Sequence, residues 1–179
     1  MSKERKATAT LDAVIFKRPP KDHPVYAKIG RVASDWSHVE HVLDLLIWDL
    51  TGGDEKLVAA STAQMTGIYP RCMTLVALLG ARNLLSKSIE KEIDKLQSRC
   101  GATGRLRNRI VHDAWYAAGS SLVGAFRAMA RGDYHVGIRD IPDDHFQHVL
   151  KEIADRHREA MALSAKVSAL LRASPGRYP

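Results

Sequence analysis

Arg107, Asn108 and His112, within the stretch Arg107-Asn108-Arg109-Ile110-Val111-His112, are the residues of this chain whose types and spacing suit chemistry. An imidazole exchanges protons near neutral pH, and a guanidinium offers a permanently charged fork of donors. The stretch reads as part of a helix from about 105 to 118. On a wheel of 100° per residue, Ile110, Val111, Ala114, Ala117 and Ala118 join Leu106 within an arc of about 140°, and Arg107 lies inside that arc. An arginine turned toward apolar neighbours must find a carboxylate, a backbone carbonyl or an anionic ligand. Asn108 and His112, four residues apart and about 40° from each other at the edge of the arc, can pair so that the amide orients the imidazole.

Supporting groups follow from the same pattern. Glu40 and Asp44 lie beside the apolar seam Trp36, Val39 and Leu43, so either can receive the Arg107 guanidinium, with Glu40 preferred; a plain helix-to-helix ion pair is the alternative. Lys95, Arg99, Arg105, Arg107 and Arg109 occur between Asp94 and Asp113 with no acid among them. Such a cluster makes a local positive field, and Arg99, Arg105 and Arg109 become candidate contacts for a polyanion. Tyr116, next to Trp115, can stack a base, although packing in a core or dimer contact is the commoner use of both rings.

The Arg-Asn-x-x-x-His spacing of residues 107 to 112 resembles the Arg-x(4–6)-His signature of HEPN domains. The resemblance covers residues 25 to 118 and the final helix. It implies an up-and-down helical bundle, a homodimer and, in catalytic members, metal-independent cleavage of RNA by paired motifs at the dimer interface, often in toxin or anti-phage roles with a cognate antitoxin protein. It implies that Arg107 stabilises the scissile phosphate, His112 acts as general acid or base and Asn108 orients the site. RNA supplies its own nucleophile, the 2′-hydroxyl, so proton transfer and charge stabilisation suffice and neither metal nor cofactor is expected. An Arg and a His five apart stand about 140° round one helix, an awkward aim at one phosphate that a two-fold partner would remedy. The alternative reading is a non-catalytic helical interaction or scaffold module that binds a protein or a nucleotide. DNA binding by the basic N-terminal arm ranks below both, for want of a helix-turn-helix.

These residues need helices to position them. From Ile29 the apolar residues Val32, Trp36, Val39, Leu43, Leu46 and Leu50 recur in steps of three and four, which predicts a first helix ended by Gly52-Gly53. Asp54 predicts an N-cap for a short helix to about Met65, and Pro70 the first turn of a third that turns Cys72, Leu75, Val76, Leu78 and Leu79 inward. Ser86 or Ser88 opens a fourth through Ile89, Ile93, Leu96 and Cys100, which Gly101-Ala102-Thr103-Gly104 either breaks or loosens. Two short apolar runs around Ala130-Arg131-Gly132-Asp133 predict a small β-hairpin near 120–141, an insert with no counterpart in the resemblance. A last helix from Pro142-Asp143-Asp144 to about Ala173 places Phe146, Val149, Ile153, Met161, Val167 and Leu170 inward. The expected fold is all-α, a bundle of roughly four to six helices, in one domain over 23–179 behind a flexible basic arm at 1–22.

Composition fits this picture. The 179 residues are 45% hydrophobic and 26% charged, with a net charge of +7. Residues 1 to 21 hold six Lys/Arg against two acids, so +4 of that excess belongs to the arm. The two cysteines, Cys72 and Cys100, are too few for a disulfide framework or structural zinc site and read as buried reduced thiols. No apolar run approaches the roughly 20 residues of a membrane span, and the N-terminus lacks a secretory pattern, so a cytoplasmic location is expected. His38 with His41, and His145 with His148 and Glu152, superficially resemble metal faces but read better as polar helix flanks. Arg82-Asn83 repeats the first letters of the motif without its histidine. P-loop and nucleophile-elbow patterns are absent, which argues against P-loop NTPases and α/β-hydrolases.

Overall fold

The computed structural model describes residues 17–118, 122–129 and 135–173. Among them are five helices, α1 (Pro24–Thr51), α2 (Glu55–Thr62), α3 (Ile68–Ala81), α4 (Lys87–His112) and α5 (Asp143–Ala173), and three strands, β1 (Ala114–Ala118), β2 (Leu122–Met129) and β3 (His135–Asp140). The fold is a helical bundle with a small antiparallel sheet. Contacts divide the chain into a helical unit, 24–113 with 142–179, and a strand unit, 1–23 with 114–141.

In the helical unit α1 packs against all four other helices. Its seam explains this: Val32, Trp36, Val39, Leu43, Leu46 and Leu50 are buried as the spacing predicts, and Val42 and Ile47 widen the stripe. Each such side chain withdrawn from water contributes roughly 1.5–3 kcal/mol, so this face fixes α1 at the centre. Asp54 caps α2, its carboxylate accepting from the Lys56 and Leu57 amides at 2.8 and 3.4 Å. The Trp48 indole donates to Thr62 Oγ1 at 3.0 Å and ties α2 back to α1. Ser86 caps α4 by accepting from the Ile89 amide at 3.3 Å. In α3 the buried set is Ile68, Arg71, Cys72, Leu75 and Leu79, with Val76 and Leu78 half-covered. In α5 the inner face is Phe146, Val149, Ile153, Ala160, Leu163 and Val167. Met161, expected inward, is instead exposed, because the face continues from Ile153 in steps of seven through Ala160 and Val167.

Two expectations about the middle of the chain are corrected. Gly101 and Gly104 neither break nor loosen α4, which runs unbroken for 26 residues because Ile89, Ile93, Leu96, Cys100, Thr103 and Ile110 keep one face buried throughout. The helix expected to reach Ala118 stops at His112. Ala114 to Ala118 form β1, paired antiparallel with β2 from Ala114↔Phe126 to Ala118↔Leu122. Trp115 and Tyr116 favour a pleated, half-buried surface, and the strand's hydrogen bonds come from a distant segment that helical periodicity cannot register. β2 pairs in turn with β3, from Gly124↔Asp140 to Met129↔His135, which gives the expected hairpin, to which β1 adds a third strand.

The loop of that hairpin at 130–134 lies outside the described residues, as do positions 1–16 of the expected flexible arm. Lys17, also assigned to that arm, is fixed in the strand unit, where its carbonyl accepts from the Ala117 amide at 2.9 Å. No helix among the described residues is long and apolar enough to cross a membrane.

Candidate functional site

The last two turns of α4 bring the three motif residues together within one chain. Arg107 Nη1 donates to Asn108 Oδ1 at 2.9 Å and lies 3.3 Å from His112 Nε2. For that second contact to be a hydrogen bond, the imidazole must be neutral, with its proton on Nδ1 and its lone pair on Nε2. The 140° separation on the wheel is therefore no obstacle to contact: the long arginine side chain wraps past Asn108 and reaches the imidazole.

Arg107 is half-buried, while Asn108 and His112 are exposed. The Arg107 Nε is buried and has no hydrogen-bond partner, and no carboxylate neutralises the guanidinium among the described residues. An amide and an imidazole, unlike a carboxylate, bring no negative charge to cancel that of the guanidinium. The result is a fixed cation beside a proton-exchanging group at an exposed helix edge. Four residues earlier, on the same helix face, the buried Thr103 Oγ1 is also unpartnered.

The expected supports go elsewhere. Glu40 Oε1 accepts from the Trp36 indole at 3.1 Å, so Glu40 orients a tryptophan one turn away rather than Arg107. Asp44 receives Arg71 in a bidentate pair, Nε to Oδ1 at 2.8 Å and Nη2 to Oδ2 at 3.0 Å. Arg71 Nη1 also donates to the carbonyls of Met65 and Gly67, at 2.9 and 2.8 Å. That clamp joins α1, α3 and the connection between α2 and α3. Sequence reading missed Arg71; the available signal was a second charge set in an apolar seam, beside Cys72 and Leu75, complementary to Asp44 in the seam of α1.

The expected anion contacts divide likewise. Arg105 and Arg109 are exposed, share a face at i, i+4 and have no partner among the described residues. Arg109, in the last turn, opposes the negative end of the α4 dipole, whose carbonyls would otherwise repel a phosphate. Arg99 does not join them: its guanidinium is held by Glu159, in a groove also lined by Glu92, Lys95 and Lys166. Tyr116 is a half-buried residue of β1, in the strand unit. Among the described residues no group of three or more metal-ligating side chains gathers.

A cleft of about 740 Å³ opens beside the motif, between α1, the α2–α3 connection and α4. Its α4 wall runs from Gln97 through Gly101 and Gly104 to Arg105, Arg107 and Asn108; Trp36 and Glu40 line it from α1, Thr66 and Gly67 from the connection, and Ile68 and Tyr69 from the start of α3. Gly67 turns the chain there with φ 79°, a conformation that favours glycine. Compared with family models, curated proteins and solved structures, the chain matches none.

Proposed function

We propose that this chain is a HEPN-like protein that cleaves RNA without a metal, as a homodimer, in a toxin or anti-phage role. The carrying observation is the Arg107 guanidinium, free of any carboxylate among the described residues and held by Asn108 and His112 at the exposed end of α4. In this mechanism a neutral imidazole takes the proton of the 2′-hydroxyl as its oxygen attacks phosphorus. An acid then protonates the departing 5′-oxygen, leaving a 2′,3′-cyclic phosphate and a 5′-hydroxyl. Arg107 stabilises the charge on the non-bridging oxygens, and a phosphate there draws its Nη1 away from His112 Nε2 and frees the lone pair. Among the described residues one imidazole, His112, meets Arg107, so in this reading the partner copy of His112 supplies the acid.

A sealed ion pair on Arg107 together with a His112 facing neither groove nor partner would favour the non-catalytic scaffold reading; among the described residues Arg107 has no such pair, while His112 is exposed and is not part of the cleft lining. The test is cleavage of single-stranded RNA in EDTA. The intact chain should cut and leave cyclic phosphate ends, while His112→Ala should lose about 10²–10⁴-fold in rate with its fold unchanged. Cleavage that needs added divalent metal, or that proceeds undiminished in His112→Ala, overturns the proposal.

A further inference from the structure

The lining of the cleft beside the motif is unusually rich in unused polar groups. The side chains of Thr66, Tyr69, Gln97, Ser98 and Arg105 have no hydrogen-bond partner among the described residues. At about 740 Å³ the cleft falls within the roughly 300–1,000 Å³ over which proteins hold small organic ligands. Its depth comes from missing side chains: a Cβ at Gly104 would meet the Trp36 ring at 3.4 Å, and one at Gly101 would meet only Arg105 Nη1, at 4.0 Å. Tyr69, 63% exposed in the first turn of α3, offers an aromatic face on the opposite side.

Charge in the lining is bipolar. Arg105 and Arg107 stand on α4 and the Glu40 carboxylate on α1. The Trp36 indole fixes Glu40 through Oε1 and, among the described residues, leaves Oε2 unengaged. A nucleotide is complementary to such a lining, with an anion at one end and a hydrogen-bonding edge at the other. Among the four RNA bases, guanine presents two adjacent donors, N1–H and the N2 amino group, to a carboxylate. Adenine, cytosine and uracil each set an acceptor against it, a contact the carboxylate repels.

We propose that this cleft holds one guanine nucleotide of single-stranded RNA, its base stacked on Tyr69, its Watson–Crick edge on Glu40 and its phosphate on Arg105 and Arg107. The proposal rests on the RNA-cleaving reading of the same site and names its substrate preference. The base is recognised by stacking and edge hydrogen bonds, as is usual for unpaired RNA, and the cleft sets which phosphate reaches Arg107.

Titration of the intact chain with the four ribonucleoside 5′-monophosphates, followed by NMR or calorimetry, tests it without cleavage. Guanosine monophosphate should bind about tenfold or more tighter than the other three, as expected where a half-buried carboxylate meets an unmatched edge. Glu40→Gln should erase that preference. Gly101→Leu, which improves helix propensity, should fill the cleft and abolish binding while the protein melts no lower than the parent. Equal affinity for all four nucleotides, no binding, or full binding by Gly101→Leu overturns the assignment. Mapping the cuts in a mixed-sequence RNA separates the two proposals. Cleavage with no guanine beside the cut removes this one and leaves the nuclease; guanine-selective binding by a chain that cuts nothing removes the nuclease and leaves the cleft.

Discussion

Arg71 and Arg107 both belong to the helical unit, and their surroundings are opposite. The Arg71 side chain is 8% exposed and meets both oxygens of Asp44 and two backbone carbonyls. Arg107 is half-buried and meets an amide and an imidazole, neither of them an anion, with its Nε unpartnered. Charge is cancelled at the first arginine and kept at the second. A guanidinium whose charge is cancelled locally fastens elements together; one whose donors are oriented but whose charge persists is suited to a visiting anion.

Substitutions can break that contrast. Asp44→Ala should cost about 3–5 kcal/mol, because it strands the Arg71 charge in the interior. Urea denaturation measures it, and a loss below about 1 kcal/mol would put the two arginines in one class. Arg107→Lys should lower RNA cleavage about 10²–10³-fold, since an ammonium loses the fork, while stability changes by less than about 1 kcal/mol. The reverse outcome, an active but unstable Arg107→Lys, would make Arg107 a second fastener.

The smallest effect concerns the thiols. Burial, the leading cause for both, pushes Cys72 and Cys100 up to about 12 from the ordinary 9.0. The folded chain thus favours the protonated thiols, so this contribution to stability is complete below pH 9 and is lost as pH rises toward 12. At pH 8.5 alkylation should follow unfolding: faster in Asp44→Ala, and within about twofold of the parent in Arg107→Lys. Rapid labelling of Cys100 in the folded parent would instead open the cleft floor to solvent.

Helices with an apolar stripe were legible in the chain, because burial of Val32 to Leu50 or of Ile89 to Cys100 follows directly from spacing. The motif was legible as a local cluster, and Arg107 as a charge needing explanation. What spacing could not supply was pairing between distant segments. Ala114 to Ala118 satisfy a helical wheel, yet their partners are the residues of β2. Asp44 was recognised as a charge beside a seam, but its match, Arg71, lies 27 residues away on another helix. Glu40 was placed with Arg107, whereas its nearest donor is an indole one turn up its own helix. The cleft itself is made of what Gly101 and Gly104 lack, and in the sequence those two glycines read only as helix breakers.

Arg71 grips the carbonyls of Met65 and Gly67, and Gly67 is also a wall of the cleft. A genetic screen for lost function should therefore recover Asp44 and Arg71 alongside Arg107 and His112, although neither clamp residue lines the cleft. Hits of that first kind would be rescued at low growth temperature and those of the second would not, so temperature alone would sort scaffold from chemistry before any enzyme is purified.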